Sequence, residues 1–299
     1  MKKSISKNIH RKMSLFEIIF ICILLLYSAA VLFLFLWSFV SSLRSAFGVR
    51  NYPWNLFSHF TFENYVSVFN VFATLKRVQG ELKVVFFEEI YLNSIFYAGG
   101  SAVVQTFCTA LVAYCTSKYK GPISSVIHYV VVVTLIFPVV GNLASMLNVT
   151  RALNFYDNMF GMWVMKFSFN NMYYFIFYAA FERISWDYAE SAFIDGASHF
   201  SVFFRIMLPL ALPLLGTVCL LNFIQYWNDF ETPYMFLPNH TTAAVGLYMA
   251  VNFSGGMAAE IDIPTQMATA FMVFLPVFVL FIIFRKKIMG NLTEGGLKE

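Results

Sequence analysis

Six apolar runs constrain this chain more than any other feature: Ile18–Val40, Leu92–Thr116, Ser125–Leu147, Phe160–Phe181, Leu210–Tyr226 and Thr265–Phe284. A helix of about 20 apolar residues crosses the hydrocarbon core of a bilayer. Lipid offers no water to an unpaired backbone amide, so each run is expected to close its hydrogen bonds as a helix. The composition agrees. Hydrophobic residues make up 59% of the 299 and charged residues only 12%, against about a quarter charged in soluble domains. The expectation is an all-α membrane protein with six transmembrane helices. Pro138 in the third run and Pro276 in the sixth predict kinks, which membrane helices tolerate.

The first run is too long for the apolar core of a cleaved signal peptide and lacks a small-residue cleavage site, so it reads as a retained span. Basic residues set the orientation. With the N-terminus inside, thirteen Lys and Arg fall in inside segments, among them Lys118, Lys120, Arg183 and Arg205, and seven fall outside. This asymmetry follows the positive-inside rule. The resulting division is a cytoplasmic N-terminus 1–17, a first span 18–40, an extracellular segment 41–91, a core 92–284 with a cytoplasmic loop 182–208, and a cytoplasmic tail 285–299. Within the outer segment, 70–89 mixes charged and apolar residues, which suits an interfacial helix or a solvated spacer.

Several chemistries are excluded or disfavoured. The net charge of +4 is too small and too dispersed for nucleic-acid binding. Cys22, Cys108, Cys115 and Cys219 lie in apolar runs without a Cys-x-x-Cys, and read as packing residues. Cys108 and Cys115 could share a helix face. The five histidines are scattered, so no metal site is expected, and His128 reads as a packed, hydrogen-bonded residue. No Gly-Lys pair occurs, so the phosphate-cradling loop of an ATPase is missing. Phe253–Met257 contains Ser-Gly-Gly without the companion motif and reads as a loop. No catalytic residue and no cofactor are expected.

Polar side chains inside apolar runs are functional candidates, because burying them is costly. They are Asn93, Gln105, Asn142, Asn170, Asn171, Asn222, Gln225, Asn228 and Asp229. Asn222, Gln225, Trp227 and Asn228 gather amides and an aromatic at the outer end of the fifth run. Two readings stand side by side. These residues line a solute path, or they hold helices together.

One polar stretch, Ser185–Pro213, interrupts the runs. Ser185 is expected to cap a short helix with Tyr188, Ala192 and Phe193 on one face. Asp195-Gly196 signals a turn. Ser198 is expected to cap a second helix with Phe200, Phe203, Phe204 and Met207 on one face, and Pro209 to end it.

The stretch resembles the EAA loop of ATP-binding-cassette importer permeases, through Glu190-Ser191-Ala192, Asp195-Gly196-Ala197, Leu208-Pro209 and Pro213. Ser191 replaces the usual first Ala, and Ser185 stands where the sugar branch has Pro. Thr61-Phe62-Glu63-Asn64-Tyr65, Trp227-Asn228-Asp229-Phe230 and the tail with Gly290 and Gly295-Gly296 extend the resemblance over nearly the whole chain. The likeness is to carbohydrate permeases of the maltose and multiple-sugar type, relative to which 70–89 looks inserted. It implies a six-helix type I importer fold in the cytoplasmic (inner) membrane, in contact with lipid. The chain would form half of a path, completed by a second, related permease in a heterodimer. Two ATPase subunits would bind inside, and an extracellular solute-binding protein would deliver the sugar. Glu190, Ser191, Ala192, Asp195 and Gly196 would couple to the ATPase, with Phe200, Phe203 and Phe204 supplying an apolar docking face. The alternatives are an importer for a peptide, polyamine or anion, and a multispanning enzyme or receptor. An enzyme would show clustered acid, base or metal residues.

Overall fold

The computed structural model describes residues 14–57, 59–78, 81–137, 141–252 and 261–294. Pro138, Phe253–Met257, the basic residues before Met13, Gly295, Gly296 and Lys298 lie outside the described residues. Helix α1 (Leu15–Ser42) opens on a capping box. Ser14 Oγ accepts the Glu17 amide at 3.2 Å, and Glu17 Oε2 accepts the Ser14 amide at 2.8 Å. The reciprocal bonds satisfy amides that a first helical turn leaves unpaired. The most apolar window of α1 has none of its residues buried within the chain, as suits a span facing lipid.

Arg44 follows α1 and is fully buried. It donates to the carbonyls of Gly48 at 2.8 Å and Tyr52 at 2.7 Å, which closes α2 (Ala46–Asn51) around the guanidinium. After α3 (Glu63–Val71) comes an antiparallel hairpin of β1 (Thr74–Val78) and β2 (Glu81–Val85), with Thr74 opposite Val85 and Lys76 opposite Lys83. The interfacial helix expected as one reading of 70–89 does not form among the described residues of that stretch, where β2 is exposed except at Val85. The β-branched Thr74, Val84 and Val85 favour a pleated, half-buried surface, and Lys76 pairs with Glu89 beyond the hairpin.

Helix α4 (Phe87–Lys118) is the central element. At 1.5 Å per residue it is about 48 Å long, more than the ~30 Å of a hydrocarbon core. The third apolar run does not make one helix. It gives α5 (Pro122–Ile136), then α6 (Leu143–Ala152). Phe137 is extended at φ −101°, ψ 98°, as the residue before a proline prefers. The fourth run also divides, into α7 (Met159–Met165) and α8 (Tyr173–Arg183). The break falls where Lys166, Ser168, Asn170 and Asn171 interrupt the apolar sequence, and their polar groups bond across helices. Asn171 Nδ2 donates to Thr109 Oγ1 at 2.8 Å, and Thr134 Oγ1 donates to Asn170 Oδ1 at 2.8 Å.

The chain continues as α9 (Asp187–Ile194), α10 (His199–Leu210, π-helical over Phe203–Met207), α11 (Leu212–Trp227), α12 (Glu231–Phe236), α13 (Ala243–Asn252) and α14 (Ile263–Glu294). Pro209 does not end α10; the chain bends by 77° between Leu210 and Leu212. Pro276 lies inside the continuous α14. Among the described residues, α1, α4 and Ile263–Arg285 of α14 are long and apolar enough to cross a membrane, and α10 with α11 adds a fourth if the bent pair is one span.

Two apolar clusters pack around α4. Near its start, Phe72, Phe87, Tyr97, Trp227 and Phe236 are buried together. Near its end, Tyr114, Phe177, Phe181, Phe203 and Met207 are. Asn93 donates to the Thr241 carbonyl, and Ser94 Oγ accepts the Ala243 amide at 2.6 Å. At the other end, Lys118 Nζ donates to the Ile184 carbonyl and Tyr119 Oη meets His199 Nδ1 at 2.8 Å. The hairpin and the 182–208 loop therefore lie at opposite ends of α4.

Candidate functional site

The loop between α8 and α11 is a closed two-helix unit. At the end of α9 the Gly196 amide donates to the Phe193 carbonyl at 3.0 Å, and the Ala197 amide donates to the Ala192 carbonyl at 2.9 Å. These two bonds, with Gly196 at φ +81°, make a Schellman motif that satisfies the last carbonyls of α9. The left-handed angle is what glycine accepts and a Cβ resists. Ser198 then caps α10, its Oγ accepting the Ser201 amide at 3.3 Å. Ser185 acts one residue earlier than the sequence suggests. It accepts the Asp187 amide at 3.2 Å and closes the turn into α9, whose N-cap is Trp186.

The loop's faces differ from the sequence expectation. On α9 it is Ala189 that is buried, with Ala192 and Phe193 partly so, while Tyr188 points outward. On α10, Phe203 and Met207 belong to the chain's own core, so neither is part of an open docking face. The π-helical turn closes its hydrogen bonds one residue further along than an α-helix does, and the Phe203 ring sits 4.9 Å from the ring of Tyr114. The exposed apolar residues are Ile194 at 86%, Phe200 at 78%, Tyr188 at 57% and Phe204 at 48%. Glu190, Ser191, Asp195 and Gly196 are exposed beside them. Such a cluster of exposed apolar side chains around a fixed turn is suited to receive a partner.

The four candidate path residues separate into two pairs. Asn222 is buried and donates to Thr106 Oγ1 on α4 at 2.9 Å. Trp227 is buried and donates to the Val273 carbonyl on α14 at 2.9 Å. Both bind helix to helix. Gln225 and Asn228 are exposed, and Asn228 Nδ2 donates within its own helix to the Ile224 carbonyl at 2.8 Å.

A polar network near these residues joins groups the sequence kept apart. Tyr97 Oη donates to Asp229 Oδ2 at 2.7 Å. Lys166 Nζ stands 3.8 Å from the same oxygen and 4.7 Å above the Tyr226 ring. Tyr226 Oη donates to Gln105 Oε1, and the Thr232 amide donates to Asp229 Oδ1 at 3.1 Å. The side chains of Lys166 and Asp229 are each more than four-fifths buried. Lys166 is one of the seven basic residues that the positive-inside division places outside. The signal available was a lone Lys within an apolar run, which asks for a buried partner.

His128 lies among the rings of Tyr174, Phe175 and Tyr178, with Nδ1 3.1 Å from Tyr174 Oη. Cys108 is buried and Cys115 exposed, so they do not share an environment. No group of three His, Cys, Asp or Glu among the described residues is placed to hold a metal ion.

Comparison with known proteins gives these arrangements a context. Residues 105–286 match the family described as binding-protein-dependent transport system inner membrane component. A diacetylchitobiose uptake system permease protein of Streptomyces coelicolor is 25% identical over 274 residues, covering 91% of this chain and 86% of that protein. A trehalose transport system permease protein of Mycobacterium tuberculosis is 27% identical over 265 residues, covering 88% and 91%. A solved bacterial ABC transporter, involved in import of the acidic polysaccharide alginate, includes a chain that superimposes with a TM-score of 0.73. That match has 22% identity and covers 92% of this chain and 99% of that one, a likeness of fold.

Proposed function

The chain belongs to the binding-protein-dependent transport inner-membrane components, and from that premise we propose that it is the permease subunit of a carbohydrate importer driven by a separate ATPase. The curated relatives named above support sugar as the solute class. The observation that carries the coupling role is the Schellman-closed loop at one end of α4, with Ile194, Phe200, Tyr188 and Glu190 exposed around Gly196. An amphipathic helix laid into a groove buries such side chains, and Glu190 adds a charge-assisted contact.

In this reading the loop end of α4 is cytoplasmic, as are both termini, and the hairpin end faces outward, where a solute-binding protein delivers the sugar. A second, related permease completes the path. Closure of the ATPase pair moves the loop, and α11, which continues from α10, carries the motion to Gln225 and Asn228. Those two side chains meet the solute or its gate, while Asn222 and Trp227 hold the helix in place. Hydrolysis of ATP belongs to the partner, since this chain has no Gly-Lys pair.

The test is Ile194→Asp and Phe200→Asp in the whole complex. Membrane insertion and pairing with the second permease stay at the parental level, and ATPase copurification falls at least fivefold. Retention of the ATPase at the parental level by both variants contradicts the coupling role.

A further inference from the structure

A cleft opens beside the loop, about 320 Å³ in volume and lined by Ser117, Lys118, Lys120, Glu182, Arg183, Ile184, Ser185 and Trp186. It lies where α4 and α8 both end. Three cations face one carboxylate in its lining, so the cleft carries a net positive charge. Lys118 Nζ donates to the carbonyls of Ile184 and Glu182. An ammonium has three N–H donors, so a third remains for a ligand. Lys120 stands 3.8 Å from Glu182 with both side chains more than half exposed. An ion pair that open is worth little and yields to a stronger anion. The Ser185 hydroxyl accepts the Asp187 amide, and its own O–H can donate.

The surroundings indicate where the anion comes from. Tyr119 and Trp186 pack edge to face at 5.7 Å beside the cleft, and such rings favour the headgroup level of a bilayer. Three residues after Lys120, α5 presents Ile123, Val126 and Val130, all exposed and spaced along one stripe. That stripe offers an acyl chain a path next to a basic pocket. Basic pockets between membrane helices bind anionic headgroups.

We propose that this cleft holds the phosphate of an anionic phospholipid from the leaflet on the loop side, with Lys118, Lys120, Arg183 and Ser185 as its donors. The lipid would brace the start of α9 against α4, next to the coupling turn. Only the identity of the leaflet rests on the functional reading above; the cleft's chemistry does not.

The experiment places the complete transporter in nanodiscs of phosphatidylcholine with phosphatidylglycerol, and native mass spectrometry counts the phosphatidylglycerol retained after detergent release. The parent retains it. Lys120→Gln and Arg183→Gln each lower retention about fivefold, the factor expected for one cation near an anionic headgroup, and Lys120→Arg restores it. Should Arg183→Gln fail to assemble, Lys120→Gln alone carries the test, because the Lys120 side chain is 75% exposed. Equal retention by parent and Lys120→Gln overturns the proposal. Displacement by inorganic phosphate at the lipid's own concentration overturns it in favour of a free-anion site. Retention only in complexes stripped of the ATPase overturns it in favour of an acidic ATPase contact.

Discussion

Tyr97 Oη donates to Asp229 Oδ2 over 2.7 Å, tying α4 to the turn that follows α11. Lys166 stands 3.8 Å from that same oxygen. A carboxylate held by a phenol, an ammonium and the Thr232 amide is well satisfied, and removing any one partner strands the others.

Asp229→Asn leaves Lys166 largely buried without its counter-charge. Breaking a buried pair by removing one partner costs roughly 3–5 kcal/mol, so the variant melts at a clearly lower temperature. Adding Lys166→Met removes the stranded charge and restores at least half of the loss. Differential scanning fluorimetry on the four proteins of the cycle checks this. Losses that simply add would show that the two residues are not coupled.

The two pairs at the end of α11 separate experimentally. Asn222→Ala and Trp227→Ala lower complex assembly and uptake together, because each breaks a bond between helices. Gln225→Ala and Asn228→Ala lower uptake at least fivefold with assembly unchanged. Parallel measurement of copurification and sugar uptake distinguishes them. A matching fall in both quantities for all four variants removes Gln225 and Asn228 from the path.

Opposite ends of α4 predict opposite sides of the membrane. In a chain with Cys22, Cys108, Cys115 and Cys219 changed to Ser, an impermeant maleimide applied outside reaches Asn55→Cys and not Ser198→Cys. Labelling of Ser198→Cys in intact cells reverses the orientation.

The packing of α7 on α4 depends on the absence of a side chain at Gly100. A Cβ there would lie 2.1 Å from Trp163 Cε2, and Trp163 Nε1 donates to the Phe96 carbonyl at 3.0 Å. Gly100→Ala displaces the indole and costs about 1–3 kcal/mol, the usual range for overpacking. The melting temperature of the purified complex reports it, and an unchanged value contradicts the close approach.

The sequence states some of this plainly. Long apolar runs announce α1, α4 and α14, because lipid leaves helix as the way to satisfy the backbone. Gly196 and Ser198 announce the loop, because a left-handed turn and an N-cap each demand particular residues. The broken third and fourth runs are harder to see. Their pieces are held by bonds such as Asn171 to Thr109, made between residues far apart in the chain. The hairpin is hidden because its strands are short and, among the described residues, form a sheet of just two strands. Phe203 and Met207 turn inward, away from Phe200 and Phe204, across a π-helical stretch that a 3.6-residue period does not anticipate. The Lys166–Asp229 pair needed tertiary proximity to appear at all.

The central claim is that the loop around Gly196 transmits between this chain and an ATPase, and Gly196→Val tests it most directly. Nothing lies within 4 Å of a Cβ at this position, so the substitution acts through backbone strain at φ +81° and not through a clash. Strain of roughly 1–3 kcal/mol falls on the turn, leaving the membrane core intact. ATPase copurification, solute-stimulated ATP hydrolysis and uptake are measured on one preparation. The expected result is normal insertion and permease pairing, weakened ATPase attachment, and loss of both stimulated hydrolysis and uptake. Parental levels of stimulated hydrolysis and uptake would make the loop an ordinary connector and contradict the account.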